Sequence, residues 1–338
     1  MLIARDKRGV GGIWLTVCLS IFCYTSASAV DVQETVVPAD PDLVLVASGF
    51  RFPEGPAYDG HGNIYCSNCA ADYVTRISAD GQVEIAYRAN HNGDKPFTFL
   101  KTNGMTFFQD GSLFACDFER NAIIRIYPDG HQELVVDRCD GQPFRGPNDL
   151  AFDPKGYLYF TDPTGSDASH RIGAIYRVDI VAHKAIKVAD SLAFPNGIAF
   201  SGDGKWLYVC EDNLNRIIRF RVRKDGHLSL PEVFATLDAD GPGHPDGMAI
   251  DKQGHLWIAH YGQHRVLELD GKGQIVRKVQ LPVSHGEGDE GPTNLEFAGR
   301  DMRTLYITDP GTDSLYKIRV KVAGLTLFCA PPNRAKGG

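Results

Sequence analysis

A chain of 338 residues, 43% hydrophobic and 23% charged, has the make-up of a folded globular protein with room for one large domain or two ordinary ones. A formal net charge of -7 excludes the basic face that nucleic-acid binding needs.

The chain opens on positive charge at Arg5, Lys7 and Arg8, runs mostly apolar over residues 13–24, and reaches a small-residue cleavage site at Ala27-Ser28-Ala29. This is the layout of a secretory signal peptide over residues 1–29. The apolar run falls short of the about 20 residues a membrane span needs. The expectation is an exported chain, periplasmic in a bacterium and secreted otherwise, with no membrane span once the signal is removed. Six cysteines remain: Cys66, Cys69, Cys116, Cys139, Cys210 and Cys329. An oxidising compartment would allow some of them to pair. Cys66, Cys116 and Cys210 fall in strand-like segments, where cysteine serves as a small hydrophobe. Cys66-Ser67-Asn68-Cys69 has no βαβ setting for redox chemistry and no second ligand pair for zinc.

From residue 54 onward one pattern recurs six times. A polar residue, usually followed by glycine, leads an apolar strand that begins at Ile64, Leu113, Leu158, Leu207, Leu256 and Leu305. The steps are 49, 45, 49, 49 and 49 residues, and the polar residue precedes the strand by 10 or 11 positions every time. Periods of this length signify an array of equivalent units. Within one unit, an apolar segment over 247–250, an Asp/Gly turn, and strands over 256–259, 265–269 and 275–281 follow in order. Short alternating strands between Asp, Asn and Gly turns are antiparallel. Four strands repeated six times predict an all-β fold, a six-bladed β-propeller.

Residues 43–47 stand before the first unit with no blade ahead of them. They are expected to pair with the last blade beside residues 314–320, closing the ring and hiding its edges. The organisation is then a signal peptide at 1–29, an N-terminal extension at 30–42, the propeller at 43–324 and a loosely held C-terminal tail at 325–338. Insertions at 89–100 and 283–292 lead into units two and six and should overhang one face.

The six leading residues are Glu54, Asn103, Asn148, Asn196, Asp246 and Asn294. At the starts of innermost strands they converge on the axis. Asn and Asp before Gly are ordinary turn formers one at a time. The rule holding in all six copies, with Glu54 among them, points instead to an oxygen-donor ring for a hard divalent cation. Histidine and cysteine are missing from the ring, which disfavours zinc and copper.

Phe52-Pro53-Glu54-Gly55-Pro56, Gly146-Pro147-Asn148-Asp149, Phe194-Pro195-Asn196-Gly197 and Pro245-Asp246-Gly247-Met248 resemble the senescence-marker-protein/gluconolactonase/regucalcin family over about residues 43–320. The resemblance implies a propeller with one axial divalent cation, usually calcium, with magnesium or zinc as alternatives. It implies Glu54, Asn148, Asn196 and Asp246 as ligands, and Asn103 and Asn294 as pocket-lining, substrate-binding residues. Animal-type relatives carry a substrate-contacting arginine where this chain has Gly146; Arg145 is adjacent and out of register.

The expected chemistry is hydrolysis of a sugar lactone to its acid, the small-molecule substrate being a lactone or ester. The metal polarises the carbonyl. Asp246 is the expected base, with His260 and His285 as further catalytic candidates and His244 and Arg145 at the substrate. Organophosphate or other ester hydrolysis on the same metal, or a calcium-braced binding propeller, are the alternatives. Residues 286–291 spell G-x-G-x-x-G, but three acids within it would repel a phosphate. Asp162 and Asp309, each in a Thr-Asp-Pro, read as turn residues.

Overall fold

The computed structural model describes residues 39–89, 97–237, 243–283 and 290–333. Six four-stranded antiparallel sheets form the expected blades. Blade one runs Pro53–Tyr58, Ile64–Asn68, Tyr73–Ile77, Val83–Arg88, and blade two Thr102–Phe107, Leu113–Asp117, Ala122–Ile126, Gln132–Val136. Blade three runs Leu150–Phe152, Leu158–Asp162, Gly173–Asp179, Lys184–Leu192, and blade four Pro195–Phe200, Trp206–Glu211, Arg216–Arg221, Glu232–Thr236. Blade five runs His244–Ile250, Leu256–Tyr261, Arg265–Leu269, Ile275–Gln280. Blade six runs Asn294–Ala298, Thr304–Asp309, Ser314–Arg319, and takes its outer strand from Val44–Ser48 near the start of the chain.

That last pairing closes the ring as expected, with Val44 opposite Lys317 and Ser48 opposite Ser314. The second strand of each blade is buried because its apolar residues face both neighbouring blades. Leu113, Leu158, Leu207, Leu256 and Leu305 are all fully buried, which explains why this position repeats so faithfully. Each such leucine is worth about 1.5–3 kcal/mol of burial. The outer strands are half-exposed.

The tail expected to trail loosely is instead packed as far as Asn333. Leu325 N–H donates to the Ile250 carbonyl at 2.9 Å, and Tyr58 donates its hydroxyl to Asn333 Oδ1 at 3.1 Å. Leu325, Leu327 and Phe328 line the far end of the central channel. Leu325 and Phe328 are half-buried there, while Leu327 stays exposed at the rim. Within the nominal N-terminal extension, Asp40 N–H donates to the Gln280 carbonyl at 2.8 Å.

Candidate functional site

The six ring residues all sit at the same end of the innermost strands, in or just before them. The X-Gly pattern there is not a turn. It lies within strands whose backbones approach across blades, Gly104 N–H donating to the Asn148 carbonyl at 2.8 Å and Gly247 N–H to the Thr293 carbonyl at 2.7 Å. A Cβ on Gly104 would collide with Asp149, and one on Gly247 with Asn294. Glycine is required for close approach.

A second set in the same register positions four of the six ring residues. At the ends of the second strands stand Asn68, Asp117, Asp162, Glu211 and Asp309, with His260 one residue before the end in blade five, again with steps of 49 and 45. Asn68 Oδ1 accepts from Arg51 N–H at 2.9 Å, and Asp117 Oδ2 from Leu100 N–H at 2.8 Å. Asp162 accepts from Arg145 N–H at 3.1 Å, and Glu211 Oε1 from Ala193 N–H at 2.8 Å. Each bonded amide lies three residues before a ring residue, so the buried acceptor fixes where that ring residue enters its strand. Asp162 is thus a clamp and not a turn former. These residues were legible only as a second register with variable residue type.

Ring side chains are withdrawn from solvent. Glu54 is 3% exposed, Asn196 5%, Asn294 7% and Asp246 9%, while Asn103 and Asn148 are half-buried. Burial pushes the Glu54 carboxyl up to about 8, with Asp149 adding repulsion against partial relief from the Gly55 N–H. Burial likewise raises Asp149 to about 6. Asp246 is held well above the usual carboxylate range by burial first, then by Glu54, Asp212 and Asp149. The amide oxygen of Asn103 is buried without a hydrogen-bond donor. Buried carboxylates that repel one another, Glu54 and Asp246 foremost, fit a hard divalent cation, which would relieve their burial and repulsion. Asn294 is placed differently: its Oδ1 accepts from Leu295 N–H at 2.8 Å, and its Nδ2 donates to Glu54 Oε2 at 3.2 Å. It orients a carboxylate.

Two acids missed in the sequence belong here. Asp149 follows Asn148 and points into the channel. Asp212, in a 3-10 turn after the Glu211 clamp, accepts from Asn196 Nδ2 at 3.5 Å and stands 2.9 Å from His244 Nδ1. The 40%-exposed His244 side chain therefore joins the ring through Asp212 and Asn196. Beyond the ring, a cavity of about 90 Å³ reaches the C-terminal segment and is lined in part by Asp149, Asn294, Glu296, Phe200 and Leu325.

The other candidates fall elsewhere. His260 occupies a clamp position and is fully buried, its Nε2 3.0 Å from Asn215 Oδ1 and its Nδ1 accepting from Arg265 Nε at 3.2 Å. Burial, then Arg265, depresses it to about 3, so it stays neutral with both nitrogens engaged and has none to offer a substrate. Arg145 is exposed and donates its Nη1 to the Ile172 carbonyl at 2.7 Å. At Gly146 a Cβ would collide with Thr164 Oγ1, so the family's arginine has no place there unless Thr164 moves. His285 and most of the two insertions lie outside the described residues. The six cysteines are all free thiols.

A six-bladed propeller with a buried oxygen-donor ring at one end of its axis is the class defined by this fold and site. Residues 52–310 match the SMP-30/Gluconolactonase/LRE-like region, and the chain belongs to that family. Lactonase drp35 of Staphylococcus saprophyticus is 29% identical over 296 residues, covering 84% of this chain and 82% of that protein. The gluconolactonase XC5397 of Xanthomonas campestris superposes with a TM-score of 0.70 at 27% identity, covering 85% of this chain and 97% of that one. A calcium-binding protein, regucalcin, from Agrobacterium tumefaciens gives 0.69 at 21% identity over 84% and 96% of the two chains, a likeness of fold.

Proposed function

We propose that this protein is an exported, divalent-cation-dependent lactone hydrolase that opens a sugar lactone to its acid. The observation that carries the reading is that Glu54 and Asp246 are buried and repel one another, with Asn196 bonded to Asp246 and Asn148 at the same end of its blade. Family membership and relatives named for lactone hydrolysis support it. We assign the cation to calcium, because the donors are all oxygen. Glu54, Asn148, Asn196 and Asp246 would hold it. When bound, it supplies a Lewis acid that polarises the lactone carbonyl and stabilises the oxyanion.

The chain's own residues divide the remaining work. Asp246, desolvated and crowded by other carboxylates, accepts the proton of the attacking water. His244, two residues back on the same strand and tethered by Asp212, passes that proton to solvent. Asn103 meets the substrate from blade two, across the ring. Asn294 holds Glu54 in place.

The test is turnover of a lactone panel, with an aryl ester and a phosphotriester alongside, before and after chelation. Calcium, magnesium and zinc are then added back separately. Lactone opening lost to chelator and restored best by calcium supports the reading. Activity indifferent to chelator overturns the metal role, and turnover of the esters alone overturns the substrate class.

A further inference from the structure

Away from the ring, at the opposite end of the blade-five inner strand, three ligand-type side chains meet at one point. Asp251, His255 and Glu268 each offer one donor atom, and these atoms lie within 4.8 Å of one another. The Asp251 side chain is fully buried, while those of His255 and Glu268 are 23% and 14% exposed. His255 Nδ1 stands 2.7 Å from Glu268 Oε1 and 4.0 Å from Asp251 Oδ2. Asp251 Oδ1 accepts from Gln253 and His255 N–H at 2.8 and 3.0 Å, which is the turn's own bonding. Its Oδ2 faces His255 with only a long 3.4 Å contact from Trp257 Nε1.

The other blades show that the fold does not require this cluster. The residue opposite the aromatic of each second strand is cationic in five of them. These are Arg76 opposite Tyr65, Arg125 opposite Phe114, Arg177 opposite Tyr159, Arg219 opposite Tyr208 and Lys317 opposite Tyr306. Blade five alone places a carboxylate there, Glu268 opposite Trp257. In blade one, the arginine donates to Asn63 Oδ1 at 3.3 Å, and Asn63 holds the position that His255 fills in blade five. In blade two, Arg125 donates to Ser112 Oγ at 2.9 Å and pairs with the turn carboxylate Asp110. Blade five has exchanged that guanidinium for an acid and the small polar residue for an imidazole. Arg277, across the sheet from Glu268, sits 3.6 Å from Asp40 and over the Trp257 ring. The charge that every other blade supplies at this place is missing.

We propose that Asp251, His255 and Glu268 form a second metal site, for a divalent transition cation of the zinc class. One imidazole nitrogen with two carboxylate oxygens suits zinc, cobalt or nickel better than calcium, which takes oxygen donors throughout. The site is separate from the ring: Asp246 and Asp251 are five residues apart on an extended strand, roughly 16 Å. The cation fastens the turn that anchors the C-terminal segment. Lys252 N–H donates to the Ala323 carbonyl at 2.9 Å, and Asp251 bridges to Gly324. Metal here therefore ties the chain end to the propeller beside the channel's covered mouth.

The experiment uses the tag-free full chain in saturating calcium, so that the ring is filled. Zinc is titrated by calorimetry and cobalt by visible absorption. The wild-type chain should take up one zinc that Glu268→Arg, which restores the pattern of the other blades, binds at least about tenfold more weakly. His255→Asn, the residue of blade one, should behave alike. Circular dichroism checks that both variants keep the fold. Zinc uptake equal in wild type and in either folded variant, or no uptake by wild type, overturns the proposal.

Discussion

Asn294 Nδ2 donates to Glu54 Oε2 at 3.2 Å across 240 positions of sequence, so the last residue of the ring holds the first. The closure is repeated one residue earlier, where the Thr293 hydroxyl Oγ1 donates to the Pro53 carbonyl at 2.9 Å. Sheet closure by Val44–Ser48 and closure of the donor ring are thus the same event at two radii. The site cannot form until blades one and six meet.

Removing that donor should therefore weaken cation binding without removing a ligand. Asn294→Ala leaves the Glu54 carboxylate free to rotate, and calcium affinity should fall about 10–100-fold, as for other lost outer partners of metal ligands. Calorimetric titration of the folded variant measures this. Unchanged affinity would mean that Glu54 is held by the Gly55 N–H alone.

The same carboxylates predict a pH signature for the chelated protein. Glu54 ordinarily titrates at 4.5 and is raised to about 8 in the fold, and Asp149 rises to about 6. Between these values the folded chain binds more protons than the unfolded one. Stability is then full below the ordinary value and is lost as pH rises through the folded one, by up to about 1.4 kcal/mol per pH unit for each group. Urea unfolding of chelated protein should give a lower stability at pH 8 than at pH 5.5. Calcium should flatten that slope by stabilising the ionised carboxylates.

The periodic part of this architecture was legible because the chain states it six times. Steps of 49 residues and a leading polar residue place Glu54 through Asn294 before any coordinate does. The clamp set has the same period, but its chemistry wanders from Asn68 through Asp117 and Asp162 to Glu211, since any acceptor of suitable reach can hold an amide. A scan for residue type misses it. Asp212 and Glu296 occur once and have no copies to betray them. The packing of Leu325 to Asn333 against the channel was illegible because nothing in the repeat demands a cover. The glycines after ring residues read singly like turn glycines, because collision between blades leaves the same residue choice as a left-handed φ.

The proton path assigned to Asp246 and His244 separates two phenotypes. Asp246→Ala removes both a ligand and the base, so turnover should disappear while the fold persists. Asp212→Asn leaves the ring ligands in place and unties His244. It should lower kcat by at least about tenfold, within the range for misplaced acid–base groups, with KM little changed. Steady-state kinetics on a lactone in saturating calcium decides it. A rise in KM alone would make His244 a substrate contact.

Export makes a prediction that needs no activity. Processing after Ala27-Ser28-Ala29 should leave a mature chain beginning at Val30. Terminal sequencing of protein recovered from the expressing cell's exterior or periplasm checks it, and an intact Met1 there would refute the signal-peptide reading.

His260 supplies the last test, because its burial predicts a loss at acid pH. Its ordinary value of 6.5 is depressed to about 3 by burial and then by Arg265, so below 6.5 the unfolded chain takes a proton that the folded chain refuses. The contribution is fully present above 6.5 and drains as pH falls toward 3, at about 1.4 kcal/mol per pH unit at most. Carboxylates titrate in the same window, so the slope of wild type alone is not diagnostic. His260→Gln keeps a donor toward Asn215 and an acceptor toward Arg265 but has no proton to refuse. It should cost about 1–3 kcal/mol at pH 7 through imperfect bonding, and then lose less stability than wild type between pH 6.5 and pH 4.5. Parallel urea curves for the two chains across that interval would mean that His260 is protonated in the fold, and would reopen its candidacy as a base.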